Sequence, residues 1–271
     1  MSAEAFREKI IEPRDSVILA LDNMSWDTAI SIMRETRRDI GNAKVESIID
    51  PFGAGCAIRT CHYNGFQTML DAKFNRIPSA MEESVEQVAL RLPKFITIHA
   101  SSGVESMKSA VVARDNALGR HKDYFERNKF DNGNARAGLL GITVMTSLSE
   151  QECLDIYGDK PKKKVMQFAR MAVEAGLDGV VCAVDEVEML RNDQYTKDLL
   201  LVVSGIVPKW SEKPKDQKRV GTPSQAVNAG ADFLVVGRAI TAPPERISRL
   251  EATQKVIKEI ARTKVWKSRN K

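Results

Sequence analysis

The feature that most constrains the fold of this chain is a repeat of short apolar runs, each followed by a longer stretch of helical periodicity. Short apolar runs between turn residues are typical of buried strands. Eight runs fit that pattern: 17–22, 43–47, 68–73, 95–100, 139–145, 179–182, 199–203 and 233–236. Eight strands alternating with helices over roughly 250 residues are typical of a (β/α)₈ barrel. The sequence therefore predicts an α/β chain, a single-domain TIM barrel over residues 1–271.

A doubly wound open sheet is the alternative architecture. It usually has fewer strands and carries a glycine-rich turn after the first one. Here the first strand leads into Asp22-Asn23-Met24-Ser25, which has no glycine, so the barrel is favoured.

Two segments fall outside the repeat. We expect residues 116–137 to be an insertion between the fourth and fifth strands, with a small helix or lid. We expect residues 246–271 to be a closing C-terminal helix.

Composition argues against several classes of protein. The chain has 41 Lys and Arg against 36 Asp and Glu, but the two signs are interspersed, which disfavours a nucleic-acid surface. No stretch approaches the ~20 apolar residues of a membrane helix, and residues 1–14 are too charged for a signal peptide. The 4 cysteines show no metal-site or disulfide spacing. We expect a soluble, cytoplasmic protein with no metal and no membrane partner.

The strongest candidate for chemistry lies at the end of the third strand. Asp71 and Lys73 are two positions apart, so in a strand they face the same side, and Pro78 ends the strand. Lys44 and Glu46 have the same spacing at the end of the second strand. Barrel active sites lie at the C-terminal ends of strands, so these four residues predict a charged floor with shifted pKa values. A purely structural ion pair is the alternative.

A second cluster predicts phosphate binding. Gly205 and Gln217 follow the seventh strand, and Gly237 and Arg238 follow the eighth. Barrels bind phosphate at these strand ends through backbone N–H groups, and a guanidinium adds paired hydrogen bonds. A salt bridge is the structural alternative for Arg238. Other polar residues at predicted strand ends include Asp22, Thr146 and Ser204.

Seven segments together carry a resemblance to a known family: 19–22, 43–45, 70–73 with 77–78, 98–101, 143–147, 216–220 and 235–238. The most specific are Asp71-Ala72-Lys73 followed by Ile77-Pro78, and the final Val236-Gly237-Arg238. On these residues the chain resembles orotidine 5′-phosphate decarboxylase. That enzyme is a phosphate-handling barrel of pyrimidine biosynthesis, a lyase that makes uridine monophosphate.

The resemblance implies a role for each matching residue. Asp22 would contact ribose, Thr146 the pyrimidine, and Gln217, Gly237 and Arg238 the phosphate of a nucleotide monophosphate. Lys44, Asp71 and Lys73 would form the charged network at the scissile carboxylate, where Lys73 protonates C6 and Asp71 destabilises the substrate carboxylate. The resemblance also implies that the reaction uses no metal or organic cofactor, and that the protein is a homodimer with sites at the interface.

The chain departs from the family pattern near the predicted active centre. The pattern is Asp, any residue, Lys, any two residues, Asp, and Arg76 occupies the place of the second Asp. In the family that acid reaches the partner's site, so a cation there is expected to disrupt the charge network and to weaken the dimer. Ser79-Ala80 stands where Asn-Thr is usual, and Glu46 is unexpected after Lys44-Val45.

Two further departures lie at the later strand ends. Ser204 and Val207 fall in a segment where the family has Thr-Pro-Gly-Ile-Arg, and Ala183 stands where Ser is common. Departures concentrated in the pocket of a well-matched scaffold suggest a repurposed site, since substitutions that arise by random drift would be spread more evenly along the chain.

Three hypotheses follow. The first is a decarboxylase of the family that is divergent at Arg76. The second is an engineered or repurposed barrel that abstracts a proton from carbon with Glu46 or Asp71, as in a designed Kemp eliminase; a lysine-centred retro-aldol site is a variant of it. The third is a catalytically silent nucleotide- or phosphate-binding barrel.

Overall fold

The computed structural model describes residues 3–46, 53–128 and 136–269. Across these residues, eight parallel strands form a closed barrel in chain order, and the eighth pairs with the first. They are β1 (Val17–Ala20), β2 (Asn42–Val45), β3 (Gln67–Phe74), β4 (Phe95–His99), β5 (Gly138–Ile142), β6 (Gly179–Cys182), β7 (Leu200–Val203) and β8 (Phe233–Val236). The predicted (β/α)₈ barrel is confirmed, although several strands begin or end within three residues of the predicted bounds.

Helices surround the barrel and cover the outer faces of its strands. The described helices are α1 (Ala3–Arg7), α2 (Trp26–Thr36), α3 (Ala54–Tyr63), α4 (Pro78–Ala89), α5 (Val104–Asn128), α6 (Glu150–Tyr157), α7 (Pro161–Ala175), α8 (Val184–Asn192), α9 (Pro223–Ala229), α10 (Arg238–Thr241), α11 (Arg249–Ala261) and α12 (Lys264–Arg269). Short 3₁₀ turns occupy Pro13–Ser16 and Ala100–Ser102. Local sequence sets several boundaries: Ser25 and Ser149 cap α2 and α6, and glycines in the left-handed region end α6, α7 and α9.

Alternation along each strand divides the core into two layers. One set of side chains fills the barrel interior, and the other set packs between the strands and the helices. On β6 the interior is so tight that a side chain does not fit at Gly179, where a Cβ atom would lie 2.4 Å from the carbonyl oxygen of Leu200. The strand spacing of the closed barrel therefore requires glycine at this position.

The N-terminal end of the barrel is closed by aromatic rings and one buried lysine. Phe6 of α1 and Phe233 of β8 each lie with their ring centroids 5.2 Å from that of Phe95. Lys94, which is 6% exposed, lies beside them, and its Nζ donates a 2.8 Å hydrogen bond to Asn42 Oδ1. Burial lowers the pKa of Lys94 to about 7, an effect that Asp15 opposes and Lys9 reinforces.

The segment predicted to be an insertion begins inside a continuous helix. Residues 116–128 are the last part of α5, which starts directly after β4 and its short 3₁₀ turn. The helix contains no proline, and Met107, Ala110, Ala113 and Ala117 recur at helical spacing on its buried face. Residues 129–135 of the predicted insertion lie outside the described residues.

The C-terminal segment, predicted as one helix over 246–271, consists of α11 and α12 in the part that the structure describes. Thr263 separates them. Its hydroxyl donates to the carbonyl oxygen of Ile260 at the end of α11 and accepts from the backbone N–H of Trp266 in α12. Within the described residues, no helix is both long enough and apolar enough to cross a bilayer.

Lys94 should make the stability of the fold depend on pH. Its pKa is about 7 in the folded chain and near 10.5 when unfolded, so the folded state binds fewer protons between these values. The free energy of unfolding should therefore rise with pH from about 7 to 10, by on the order of 3–5 kcal/mol.

Urea unfolding of wild type and Lys94→Met across that range measures the effect. The variant should lose most of the pH dependence, whereas Lys162→Met, which replaces an exposed lysine on α7, should keep it. Equal pH dependence in the wild type and Lys94→Met would contradict this assignment.

Candidate active site

A cavity of about 760 Å³ opens at the C-terminal ends of the strands. Its lining includes most of the residues that the sequence analysis singled out: Asp22, Lys44, Glu46, Asp71, Lys73, Thr146, Ser204, Gly205, Val207, Gln217, Gly237 and Arg238. Arg76 and Ala80 are not among the lining residues. Residues at or after every strand except β4 therefore meet at the end where barrel enzymes place their chemistry.

The floor of the cavity is a continuous chain of alternating charges. Lys44 Nζ lies 2.6 Å from Asp22 Oδ2 and 2.8 Å from Asp71 Oδ2. Lys73 Nζ lies 2.9 Å from the same Asp71 oxygen and also forms an ion pair with Glu46. This charged chain runs from Asp22 through Lys44, Asp71 and Lys73 to Glu46, whose carboxylate also lies 3.6 Å from Lys44 Nζ. The predicted floor of four charged residues thus gains a fifth, Asp22.

Burial and charge act against each other within this chain. Burial alone raises the pKa of Asp71, but the ammonium groups of Lys44 and then Lys73 outweigh burial and lower it to about 2. Burial alone lowers the pKa of Lys44, but the carboxylates of Asp71 and Asp22 raise it above the ordinary lysine value. Asp22 has a raised pKa because its desolvation outweighs the attraction of Lys44. At neutral pH the central Lys44–Asp71 pair is therefore fully ionised.

An irregular stretch of β3 places Asp71 and Lys73. Leu70 pairs with Ile96 of β4, and the next pair is Phe74 with Ile98, so three residues of β3 lie opposite the single residue Thr97. Lys73 has a φ of 45°, in the left-handed region that residues with side chains seldom adopt. The sequence pattern predicts a plain strand here and does not identify Thr97. The only signal would have been a polar residue inside the apolar run 95–98.

The opposite side of the cavity carries polar groups from the loops after β5, β7 and β8. The Thr146 hydroxyl donates to Gln217 Oε1 at 2.6 Å, and Arg238 lies 2.5 Å from Asp216. Gly205 has a φ of 73°, and a Cβ atom there would lie 2.5 Å from the carbonyl oxygen of Arg219. Glycine is therefore required where the chain turns below the predicted phosphate region.

The two departures from the pattern after β3 lie outside the cavity. Arg76 is exposed, with its guanidinium 5.5 Å from the centre of the Phe74 ring, and its carbonyl oxygen accepts a hydrogen bond from Ser106. Next to it, Ile77 is 70% exposed. Within this chain the carboxylate beside Lys73 is supplied by Glu46.

The fold and the cavity define a (β/α)₈ barrel protein with a charged pocket at its catalytic end. A sequence model of the orotidine 5′-phosphate decarboxylase / HUMPS family matches residues 15–253. The chain belongs to this family, as its motifs indicated.

Individual relatives agree with the family match. Orotidine 5′-phosphate decarboxylase of Heliobacterium modesticaldum is 34% identical over 256 residues, which cover 93% of this chain and 98% of the relative. The Nitrosococcus oceani enzyme is 32% identical over 248 residues, covering 91% and 99%. Among solved structures, orotidine 5′-phosphate decarboxylase from Lactobacillus acidophilus superimposes with a TM-score of 0.71 at 26% identity, covering 90% of this chain and 98% of that one.

The charged chain predicts unequal effects of its two lysines on Asp71. Lys44 lowers the pKa of Asp71 more than Lys73 does, so Lys44→Met should raise that pKa further than Lys73→Met. Carboxyl ¹³C NMR titration of Asp71 in the two variants measures both shifts. A larger shift in Lys73→Met would show that the Lys44–Asp71 pair is not the centre of the network.

Proposed function

We propose that this chain decarboxylates orotidine 5′-monophosphate to uridine monophosphate and carbon dioxide. The observation that carries the proposal is the Asp71 carboxylate, 6% exposed, held between two lysine ammonium groups at the floor of the cavity. The Asp71 carboxylate is thus a fixed negative charge next to the Lys73 ammonium, which can donate a proton. Membership in the family and relatives named for this reaction support the same substrate.

The first step is the loss of carbon dioxide. The substrate carboxylate lies beside Asp71, and the repulsion between two carboxylates in a poorly solvated site raises the energy of the bound substrate. The bond between C6 and the carboxyl carbon breaks, and its electron pair stays on C6. Because carbon dioxide is neutral, the repulsion disappears as the bond breaks. Lys44 keeps Asp71 ionised throughout.

The second step is proton transfer. Lys73 Nζ donates a proton to C6, which gives uridine monophosphate, and the resulting amine recovers a proton from water. The Lys73 side chain is 26% exposed, so water has access to it between turnovers. Protons and electron pairs balance without an oxidant, a reductant or an organic cofactor. Glu46 forms a second ion pair with the Lys73 ammonium, in addition to that of Asp71.

The remaining polar groups fit the rest of a nucleotide. We assign Asp22 to the ribose, Thr146 to the pyrimidine, and Gln217, Gly237 and Arg238 to the phosphate. The Asp216 carboxylate that Arg238 contacts occupies the position of an anion, and a phosphate would replace it. With Val207 in place of a family arginine, Arg238 carries most of the phosphate recognition.

We also propose a homodimer, in keeping with the family. The exposed side chains of Arg76 and Ile77, which follow β3 at the cavity end of the barrel, support a partner surface at this place. Arg76 then faces the partner subunit, and its charge weakens the dimer relative to the acid that it replaces.

The geometry favours decarboxylation over proton abstraction from carbon. Proton abstraction from carbon needs a free carboxylate base, but Asp71 and Glu46 are both bonded to ammonium groups, and the pKa of Asp71 is lowered to about 2. A silent nucleotide-binding barrel would use the same cavity, and turnover separates it from an enzyme.

Lys73 should be essential to the reaction. Wild type should convert orotidine monophosphate, and Lys73→Ala should lower kcat by about 10²–10⁴-fold because C6 loses its proton donor. Ultraviolet absorbance follows the conversion. Lys162→Ala, an exposed lysine on α7, serves as the control and should match wild type. Turnover by Lys73→Ala at the wild-type rate would exclude the assigned role.

Arg76 should be tolerated because Glu46 already supplies a carboxylate to Lys73. We expect wild type and Arg76→Asp to have kcat values within about tenfold of each other, whereas Glu46→Gln should lower kcat by about tenfold or more. If Arg76→Asp is active and wild type is not, the site has been diverted to another reaction.

Sedimentation velocity on the same samples measures the dimer, which Arg76→Asp should strengthen.

A further inference from the structure

Thr97 combines complete burial with a place directly opposite the reactive residues. It is 0% exposed and lies on β4 between the apolar residues Ile96 and Ile98. Met69 pairs with Phe95, so the next interior positions along the two strands are Asp71 and Thr97. A hydroxyl in this environment is costly unless it is hydrogen-bonded. The two hydrogen-bond partners of this hydroxyl therefore indicate the role of Thr97.

Both hydrogen bonds of the Thr97 hydroxyl are with residues of the charged chain. Its hydroxyl donates to Asp71 Oδ1 at 2.8 Å and accepts from the backbone N–H of Lys73 at 2.9 Å. Because Lys73 N–H can only donate, the hydroxyl proton is committed to Asp71. Asp71 Oδ1 is thereby occupied, and Oδ2 alone receives both lysine ammonium groups. Thr97 thus sets the rotation of the carboxylate.

The second hydrogen bond stabilises an unfavourable backbone. Asp71, Ala72 and Lys73 lie opposite Thr97 alone, so the regular pairing of β3 with β4 is interrupted at this point. The Lys73 φ of 45° costs free energy and persists only if surrounding contacts hold it. The Thr97 hydroxyl replaces the missing strand partner of the Lys73 N–H. This conformation brings Lys73 Nζ to 2.9 Å from Asp71, two residues before it.

We propose that Thr97 is a positioning residue of the active site: its hydroxyl holds the irregular segment of β3 and aims Asp71 and Lys73 at the substrate. The proposal rests on the proposed decarboxylation for its kinetic consequences. It concerns a residue that does not line the cavity and acts only through the two residues that it holds.

The test compares Thr97→Val, which keeps the shape and removes the hydroxyl, with two controls. Thr97→Ser restores the hydroxyl. Thr143→Val removes another buried threonine hydroxyl, one that donates at 2.7 Å to the carbonyl oxygen of Val181 and, among the described residues, has no hydrogen bond to the charged chain. If Thr97→Val does not fold, Thr97→Cys, of similar size and a weaker donor, replaces it.

Kinetics separate positioning from general stability. Thr97→Val should lower kcat by on the order of ten- to a hundredfold with KM within about threefold, because binding groups elsewhere in the cavity are untouched. Thr97→Ser should recover most of kcat, and Thr143→Val should keep it. Wild-type kcat in Thr97→Val would overturn the proposal, and so would equal losses in Thr97→Val and Thr143→Val.

Two readouts need no substrate, so they distinguish failure of this proposal from failure of the proposed function. In Thr97→Val the Lys73 amide should exchange with solvent at least about tenfold faster, and the pKa of Asp71 should rise because one hydrogen bond to its ionised form is lost. Unchanged amide exchange and an unchanged Asp71 pKa would overturn the role of Thr97. If wild type shows no turnover but both readouts move, the proposed reaction fails and the positioning role stands.

Discussion

The structure of the cavity end of the barrel depends on one buried carboxylate, that of Asp71, which pairs with the ammonium groups of Lys44 and Lys73. Asp71 is 6% exposed, and an ionised carboxylate at that depth is stable only when opposite charges compensate the lost hydration. Lys44 and Lys73 come from β2 and β3, and Asp22 follows β1, so the compensation exists only when these three strands hold their parallel register. The charged chain therefore forms only where β1, β2 and β3 are paired side by side.

From this pair outward, each group constrains the next. Asp71 fixes the two lysines, Glu46 continues the alternation at the mouth, and Thr97 fixes the other oxygen of Asp71 and the backbone of Lys73. The result is a rigid negative charge and a proton donor on one wall, with Gln217 and Arg238 on the other side of the cavity. A rigid arrangement is what electrostatic catalysis requires, because the charges need no rearrangement during the reaction.

The sequence predicts the features that depend on local pattern. Apolar runs located all eight strands, and spacing located Lys44, Asp71 and Lys73 at strand ends. Features set by three-dimensional register were not predictable. Three residues of β3 lie opposite Thr97 because of the pairing of two strands, and no pattern within either strand encodes that shift. Likewise the sequence places Asp22 at the end of the first predicted strand, but only the pairing of β1 with β2 brings its carboxylate to Lys44. The break at Thr263 depends on one hydroxyl bonded to both helices.

In the proposed reaction, the charged chain around Asp71 expels carbon dioxide from the substrate. Single-turnover release of labelled carbon dioxide from carboxyl-labelled orotidine monophosphate tests it most directly, with wild type compared with Asp71→Asn, which keeps the size of the side chain and removes its charge. We expect release by wild type and at least a hundredfold slower release by the variant, on the order of the effects of single electrostatic groups in enzymes. No release by wild type, or equal release by both proteins, would contradict it.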